Sequence, residues 1–119
     1  TGNITDNLYI VIYHRNHISV MSATPLVESS GTFAYDFTDA LSKAYQDGQK
    51  ALGGGMYGMI AGDSDASGLV DDNDKDVNWN SAAGAAGYYG SDLNLDGQVN
   101  NPDKDDLWVP NQTAETKVP

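Results

Sequence analysis

Two stretches of this sequence repeat each other at a spacing of 29 residues, and this repeat constrains the fold more than any other feature. The copies span residues 63–79 and 92–108. Each copy opens on an aspartate, has a glycine five positions later and a valine two positions after that, and continues through Asp-Lys-Asp to a tryptophan. Because units with the same residue pattern fold alike, we expect two similar structural units in this half of the chain.

The oxygen-bearing residues of each copy lie at the spacing of a calcium-binding loop. Calcium takes about six to eight oxygen ligands, and a loop of about twelve residues supplies them from positions 1, 3, 5, 9 and 12 and from the backbone carbonyl at position 7. The predicted ligands are Asp63, Asp65, Ser67, Leu69, Asp71 and Asp74 in loop one (residues 63–74) and Asp92, Asn94, Asp96, Gln98, Asn100 and Asp103 in loop two (residues 92–103). The sequence therefore predicts two Ca²⁺ ions, one in each loop.

Two further positions of each loop favour this interpretation. Position 6 must turn sharply with a positive φ angle, which glycine adopts without strain, and Gly68 and Gly97 occupy it. Position 8 is apolar, and we expect Val70 and Val99 to pair the two loops as short strands and to enter the core. The alternative, a repeat of acidic turns without metal, would leave the repulsion between neighbouring aspartates unopposed by any cation.

A short helix is predicted after each loop, because the loop residues also form helix caps. Position 9 serves as the N-cap and position 12 as the third helical residue, which is the arrangement of a capping box. The pairs are Asp71 with Asp74 and Asn100 with Asp103. Pro102 falls in the first turn of the second helix, where proline is tolerated. We expect the first helix to end near residues 83–84 and the second before Pro110.

With these features in place, the repeat resembles the type I dockerin modules of secreted proteins. Those modules contain two calcium loops, each followed by a helix, with no helix before the loop and with aspartate at position 12, where Asp74 and Asp103 stand here. The resemblance covers residues 62–109 and implies calcium binding and, as in dockerins, a cohesin-like partner. At positions 10 and 11, where cohesin-binding dockerins often carry Ser/Thr, this chain has Asp72-Asn73 and Asn101-Pro102.

The region before the repeat is predicted to be β-structure. Residues 8–13 and 17–22 have the composition of two strands joined by a bend at Arg15-Asn16, and alternating aromatic residues over 33–37 predict a third strand. Three strands leave the edges of a sheet uncovered. We therefore expect an incomplete sheet that is completed by another copy of the chain or by the remainder of a precursor, through strand addition.

The rest of this region is predicted to be a short helix and a loop. Thr38-Asp39 can cap a helix over residues 40–45. A loop with four glycines follows over 46–55, with Gly53-Gly54-Gly55 as a flexible linker, and residues 56–60 are expected to be extended and to lead into loop one.

Together these elements predict an α+β fold. The expected organisation is a β-rich segment over residues 1–60, the double calcium-loop module over 61–110 and a C-terminal tail over 111–119. The stretch over residues 13–22, taken with the repeat, is similar to the C-terminal regions of certain large secreted bacterial proteins, which implies no catalytic activity.

The charge of the chain excludes several classes of function. Seventeen acidic residues oppose six basic ones, for a net charge of −11, and eleven of the acidic residues lie between Asp63 and Asp106. Nucleic-acid binding and docking on anionic lipid both need a basic surface, so we expect neither. The longest apolar run, residues 8–13, is far shorter than the roughly 20 residues of a membrane helix. With no cysteine, disulfides and thiolate metal sites are excluded.

No other residues form a convincing catalytic or cofactor site. His14 and His17 are expected to point to opposite faces of a strand, which favours packing or hydrogen bonding over a zinc site. Trp79 and Trp108 stand at equivalent positions, and core packing is favoured over carbohydrate stacking. No motif positions a nucleophile, and the paired carboxylates are accounted for as calcium ligands, so we expect no enzymatic activity.

The sequence thus predicts a calcium-stabilised, non-catalytic module that is secreted and works outside the cell or at its surface. The first hypothesis is a structural or assembly subunit of a filament, layer or complex. The second is an anchoring module that attaches a secreted protein to a cohesin-like partner. A third is an accessory part of an extracellular hydrolase.

Overall fold

The computed structural model describes residues 7–119 and shows a mixed α/β architecture. Six short strands form three separate antiparallel hairpins in the first half of these residues. Two short helices follow in the second half, one after each loop. This arrangement is compatible with the predicted α+β class. The first six residues of the predicted β-rich segment lie outside the described part of the chain.

The first hairpin confirms the two predicted strands and the bend between them. Strand β1 (Val11–His14) pairs with β2 (His17–Met21) through the turn Arg15-Asn16. Regular pairing begins later than predicted, at Val11. The chain before it nevertheless stays alongside the hairpin, because the N–H of Ser22 donates to the carbonyl of Ile10.

The prediction of a single three-stranded sheet is wrong. Strand β3 (Val27–Ser29) pairs only with β4 (Thr32–Ala34), and β5 (Lys50–Gly53) pairs only with β6 (Met56–Gly58). The predicted aromatic strand over 33–37 therefore ends at Ala34. The strands of each hairpin pair with each other, and the hairpins do not join into one continuous sheet.

The predicted glycine-rich linker is instead the turn of the third hairpin. Gly53, Gly54 and Gly55 have φ angles of 94°, 63° and 77°, and these positive values allow the chain to reverse between β5 and β6. Flexible linkers and tight turns are both rich in glycine, so composition alone does not distinguish them.

The helix predicted over residues 40–45 is replaced by two single 3₁₀ turns, Leu41–Lys43 and Tyr45–Asp47. Distant groups occupy the carbonyls that a longer helix would use. The Lys43 carbonyl accepts the hydroxyl of Tyr35 at 2.6 Å, and the Ala40 carbonyl accepts the side-chain amide of Gln49 at 2.8 Å. Tertiary hydrogen bonds therefore override the local helix preference.

The two predicted helices are present and short. The first includes a wide π-helical segment, Asp74–Trp79, and a final α-helical turn, Asn80–Ala82, so it ends where predicted. The second has the same wide segment at Asp103–Trp108 and continues as a 3₁₀ turn, Val109–Asn111. The wide segment ends before Pro110 as predicted, but the 3₁₀ turn passes through this proline.

The core joins the first hairpin to the repeated region. Its buried centre consists of Ile18, Val70, Leu93 and Trp108. Ile18 lies on β2, and its N–H donates to the Ile60 carbonyl at 2.7 Å. The division predicted at residue 60 is thus crossed by both apolar packing and hydrogen bonds. Within residues 7–119, no helix has the length and apolar character needed to cross a membrane.

Each loop is closed by the segment that follows the other loop's helix. Val70 of loop one exchanges backbone hydrogen bonds with Thr113 and Ala114, whereas Val99 of loop two exchanges them with Gly84 and Ala85. The two closing segments are 29 residues apart, like the loops themselves. Each repeat therefore completes the other.

This reciprocal closure corrects the prediction that Val70 and Val99 pair the loops directly. Both valines are fully buried, as expected. Their strand partners, however, are the closing segments 84–87 and 113–116, which add bridges between Ala86 and Gln98 and between Leu69 and Glu115. The closing segments thus supply the pairing that each loop needs.

The tryptophan side chains also contact the opposite repeat. The indole N–H of Trp79 donates to the Asn100 carbonyl at 3.0 Å, and that of Trp108 donates to the Asp71 carbonyl at 2.9 Å. Lys104 lies over the Trp79 ring and Lys75 over the Trp108 ring, so these lysines also cross between repeats. Trp108 is buried and Trp79 half-buried, in agreement with the predicted packing role.

Candidate metal centre

Three aspartates of loop one converge on one point. Asp63, Asp65 and Asp74 each present a carboxylate oxygen, and these oxygens all lie within 4.8 Å of one another. Asp63 and Asp74 are each only 2% exposed, whereas Asp65 is open to solvent. Like charges at this separation repel, and burial removes the water that would screen them. A bound metal ion would offset that repulsion, so this group could hold one.

Backbone N–H groups fix the two buried carboxylates of loop one. Asp63 accepts hydrogen bonds from the N–H of Ser67 at 2.8 Å and of Gly68 at 2.9 Å. Asp74 accepts them from the N–H of Ser64 at 2.7 Å and of Asp71 at 2.8 Å. Because these bonds tie both ends of the loop together, the carboxylates hold their positions without depending on flexible side-chain contacts.

Position 6 allows loop one to close over these carboxylates. Gly68 has φ = 89°, the positive value predicted for it. A side chain at this position would also approach Thr116 of the closing segment, with a distance of 3.1 Å between its Cβ and the Thr116 methyl group. Glycine is therefore required by both backbone geometry and packing.

The remaining predicted ligands of loop one divide into two groups. The Ser67 hydroxyl lies 3.4 Å from a carboxylate oxygen of Asp63 and 3.2 Å from the Leu69 carbonyl, so Ser67 and the Leu69 carbonyl border the aspartate group. Asp71 stands apart from it, because its carboxylate accepts the N–H of Asn73 at 2.9 Å and caps the first helix. The predicted capping pair of Asp71 and Asp74 is confirmed.

Loop two has the same backbone framework. Asp92 accepts the N–H groups of Asp96 and Gly97 at 3.0 and 2.8 Å, and Asp103 accepts those of Asn94 and Asn100 at 3.1 and 2.9 Å. Asp92 and Asp103 are buried like their counterparts. Position 6 also repeats, since Gly97 has φ = 88°.

The side chains of loop two differ at positions 3 and 5. Asn94 replaces the carboxylate of Asp65, and its amide oxygen accepts the N–H of Asp96 at 3.1 Å. Asp96 in turn accepts the N–H of Gln98 at 3.0 Å. Loop two thus offers amide and carboxylate oxygens, with Asn94 in place of the third aspartate that loop one contributes.

An unpaired oxygen marks position 9 of loop two. The side-chain oxygen of Asn100 is buried and has no hydrogen-bond partner among the described residues. Its counterpart Asp71 accepts the N–H of Asn73, but Pro102 stands at the position equivalent to Asn73 and has no N–H. The predicted capping pair is therefore only half formed, by the N–H of Asn100 donating to Asp103. An unpaired oxygen beside the buried carboxylates fits a cation or its bound water.

The carboxylates of loop one are strained electrostatically. Burial raises the pKa of Asp63 to about 6, with a smaller contribution from Asp74, although hydrogen bonds from Gly68 and Ser67 act in the opposite direction. Burial also raises the pKa of Asp74. The charged forms that a metal would bind are thus costly when no cation is present.

The two histidines do not point to opposite faces, contrary to the prediction. The two-residue turn places His14 and His17 opposite each other on paired strands, and their Nδ1 atoms lie 3.1 Å apart. Burial lowers the pKa of His17 to about 4, and the charges on His14 and Arg15 lower it further. The sequence predicted packing or hydrogen bonding for these histidines, but not a contact between them.

Sequence reasoning missed three contributors to these sites. Ser64 donates its N–H to Asp74, and the segment over 113–116 closes loop one. Extending the 29-residue repeat beyond the tryptophans would have aligned 113–116 with 84–87. Asn16 donates to the Asp92 carbonyl at 2.8 Å from a distant hairpin, and no local pattern signals it.

This chain matches no protein-family model, no curated protein and no solved structure. The function that its residues support is therefore inferred from the geometry of the two loops and from the exposed surfaces of the hairpins.

Proposed function

We propose that this chain is a calcium-stabilised, non-catalytic extracellular module that serves as a structural or assembly subunit. The observation that carries the proposal is the convergence of Asp63, Asp65 and Asp74 in a loop whose framework is repeated by Asp92 and Asp103. The two framework carboxylates of each loop are buried, so a cation would contribute to folding as well as to local order.

Calcium is the cation that this donor set fits best. All predicted ligands are oxygens from carboxylate, amide, hydroxyl and backbone carbonyl groups, and hard oxygen donors suit Ca²⁺ rather than zinc or copper. Calcium also tolerates irregular geometry, whereas Mg²⁺ demands a nearly ideal octahedron and retains its waters. The mixture of a short serine, an amide and several carboxylates favours the more tolerant ion.

Two ions are proposed because the loops share one framework. Loop two lacks the third aspartate, yet Asn94 and Asp96 supply oxygens at the same positions and Asn100 adds a buried oxygen without a partner. The reciprocal closure links the sites, since each loop pairs with the segment behind the other loop's helix. Filling either site would therefore stabilise both repeats.

The role in assembly is supported by the hairpins. Large apolar side chains are exposed there, including Tyr13 (75%), Val27 (73%) and Leu52 (64%). Each sheet has only two strands, and the outer edge of β2 is partly paired with residues 60–62. The hairpins β3–β4 and β5–β6 join no further strand within residues 7–119. Exposed apolar edges favour pairing with a second copy or with the rest of a precursor. We place the module outside the cell, because calcium sites of extracellular modules are weak, with Kd about 10⁻⁴–10⁻³ M, and need a high calcium concentration to fill.

An anchoring role of the dockerin type is the second candidate. It is favoured by the exposed faces of the two helices, where Asp72, Asn73, Asn101 and Pro102 stand at equivalent solvent-facing positions. A partner that binds one face could bind the other in the opposite orientation. The exposed hairpin residues have no part in this role.

Light scattering after size exclusion, combined with thermal unfolding, tests the proposal. In millimolar Ca²⁺ we expect a defined oligomer and a melting temperature at least about 10 °C above that in EGTA, since each site at 100 times its Kd adds about 2.7 kcal/mol. A monomer whose melting temperature rises with calcium would favour the anchoring role. A melting temperature that calcium does not change would contradict both the assembly role and the anchoring role.

A matched pair of variants separates assembly from folding. Tyr13→Ser removes an exposed apolar side chain from the first hairpin and should weaken self-association without lowering the calcium-bound melting temperature. Val77→Ser removes one of similar character (59% exposed) from the first helix and should leave association unchanged. Equal effects of the two substitutions would argue against hairpin-mediated assembly.

A further inference from the structure

The turn of the first hairpin gathers two imidazoles and an amide outside the calcium loops. We propose that His14, His17 and Asn16 form a binding site for a late first-row transition-metal ion, with Cu²⁺ bound more tightly than Zn²⁺. The donors are the Nδ1 atoms of both histidines and the side-chain oxygen of Asn16. This site is independent of the calcium proposal.

The spacing of the donors matches the coordination sphere of such an ion. Two nitrogens that each lie about 2.0–2.1 Å from one ion are separated by about 2.9–3.4 Å for right-angle to tetrahedral geometry. The Nδ1 atoms of His14 and His17 are 3.1 Å apart, and the side-chain oxygen of Asn16 is 2.7 Å from the His17 Nδ1.

Asn16 is held in the orientation that the site needs. It is fully buried, and its amide nitrogen donates to the carbonyls of Gly90 at 3.0 Å and Asp92 at 2.8 Å. Both amide hydrogens are therefore used, which directs the side-chain oxygen toward His17. A donor fixed in this way loses little conformational freedom when a metal binds.

The arrangement also fixes the protons of the metal-free state. The oxygen of Asn16 cannot donate, so the Nδ1 of His17 carries a hydrogen in that contact. The Nδ1 of His14 then has a lone pair, which accepts the backbone N–H of Asn16 at 3.4 Å and which a metal would take from this long contact. A metal would take the place of the His17 Nδ1 proton, which would move to the Nε2 atom of the same ring. The net protonation of the neutral ring is unchanged by this step.

Solvent has access to the pair from two sides. The histidines line one cavity of about 410 Å³ beside loop one and another of about 520 Å³ beside loop two. Both cavities are large enough for the water molecules that would complete the coordination of the ion. The strongly acidic chain attracts cations in general, but nitrogen donors select copper and zinc over calcium.

Imidazole NMR on the intact chain tests the site directly. Zn²⁺ is titrated into protein that holds saturating Ca²⁺, so that the loops are already filled. We expect the ¹⁵N resonances of Nδ1 in both histidines to shift with one equivalent of Zn²⁺, and each Nε2 to be protonated in the complex. Shifts confined to Nε2, or unchanged imidazole resonances, would overturn the proposal.

Copper binding to variants supplies a second test that does not depend on zinc. With Ca²⁺ present, we expect the electron paramagnetic resonance spectrum of bound Cu²⁺ to show nitrogen hyperfine structure. His17→Gln and His14→Gln should each lower Cu²⁺ affinity at least about 10–100-fold, because the loss of even an outer partner of a metal ligand has an effect of that size. Val77→Ser, at an exposed position of the first helix, is the control and should leave copper affinity unchanged. Retention of full affinity when both histidines are replaced would assign copper to other donors of the chain.

Discussion

Loop one and loop two share a backbone and differ in charge. In both, the first and last aspartates are buried and accept at least two backbone N–H groups each. At the other side-chain positions, loop one has Asp65, Ser67 and Asp71, whereas loop two has Asn94, Asp96 and Asn100. Loop one therefore carries four carboxylates at ligand positions and loop two carries three.

This difference separates two tasks that an ion-binding loop must perform. The backbone hydrogen bonds to the first and last aspartates set the shape of the loop. Both copies form them from the N–H groups at positions 3, 5, 6 and 9, to which loop one adds that of Ser64. The number of carboxylates sets the attraction for a cation and the repulsion without one. We therefore expect loop one to bind calcium more tightly and to be the less stable loop when calcium is absent.

Removing the C-terminal closing segment should break the symmetry between the loops most strongly. A chain that stops after Gln112 loses three backbone hydrogen bonds between loop one and residues 113–116, together with the hydroxyl contacts of Thr116 with Ser19. At about 1 kcal/mol each, this should lower the free energy of unfolding by about 3–5 kcal/mol.

Backbone amide exchange measures where that loss falls. In the truncated chain with calcium present, the N–H of Val70 should lose its protection against hydrogen exchange. The N–H of Val99, which pairs with Ala85, should still exchange mainly through global unfolding. Equal loss at both valines would mean that the loops are not closed independently.

Neutralising Asp74 should cost more stability with calcium than without it. Asp74→Asn removes a loop-one ligand, so the free energy of unfolding in saturating calcium should fall by about 2–3 kcal/mol. In EGTA the loss should be smaller, because the relief of repulsion within the aspartate group offsets the loss of a backbone hydrogen bond at the oxygen that becomes an amide nitrogen.

Asp72→Asn is the control for this substitution. Asp72 is exposed, lies two residues away and belongs to no convergent group among the described residues. Chemical denaturation of both variants in calcium and in EGTA provides the comparison. An equal loss of stability from Asp74→Asn in EGTA and in calcium would refute electrostatic strain in the empty loop.

The pH dependence of the calcium-free chain should reveal the strain of loop one. The folded pKa of Asp63 is raised to about 6, above the roughly 3.9 of an unfolded aspartate. The folded state therefore binds the proton more tightly, and its stability from this group is complete below pH 4 and lost as pH rises through 6. We expect a loss of about 1–2 kcal/mol over this range in EGTA.

Asp63→Asn should remove that dependence between pH 4 and 6. In the original chain, protons compete with calcium at Asp63, so calcium affinity should fall as pH drops below 6. Urea denaturation at several pH values measures the first effect and calcium titration the second. A calcium-free stability that instead rises between pH 4 and 6 would contradict the assigned strain.

Restoring a carboxylate to loop two should give the smallest effect. Asn94→Asp copies Asp65 of loop one and should raise the calcium affinity of loop two about tenfold, or about 1.4 kcal/mol. Asn101→Asp adds the same charge at an exposed helical position and serves as the control, with an effect below about threefold. Calorimetric titration distinguishes the two, and equal gains would assign the effect to net charge alone.

The parts of the fold that the sequence predicted are those with local determinants. Strand β2, the Arg15-Asn16 turn, the starts of both helices and the positive φ angles of Gly68 and Gly97 each depend on residues within a few positions. The spacing of the repeat likewise identified the three aspartates that converge in loop one.

The parts that the sequence did not predict depend on long-range contacts. The predicted helix over 40–45 fails because Tyr35 and Gln49 bind the carbonyls it would use. The closing segments exchange between repeats, and a pattern read along one copy does not show which copy provides its partner. Asn16 reaches the Asp92 carbonyl across 76 residues, which no local spacing encodes.

Calorimetric titration of the metal-free chain with Ca²⁺ tests the central claim most directly. We predict two ions per chain. Asp74→Asn should abolish the tighter site, which assigns that site to loop one, and should leave the weaker site in place. A titration that shows no calcium binding at millimolar concentrations, or binding that survives both Asp74→Asn and Asp103→Asn, would contradict it.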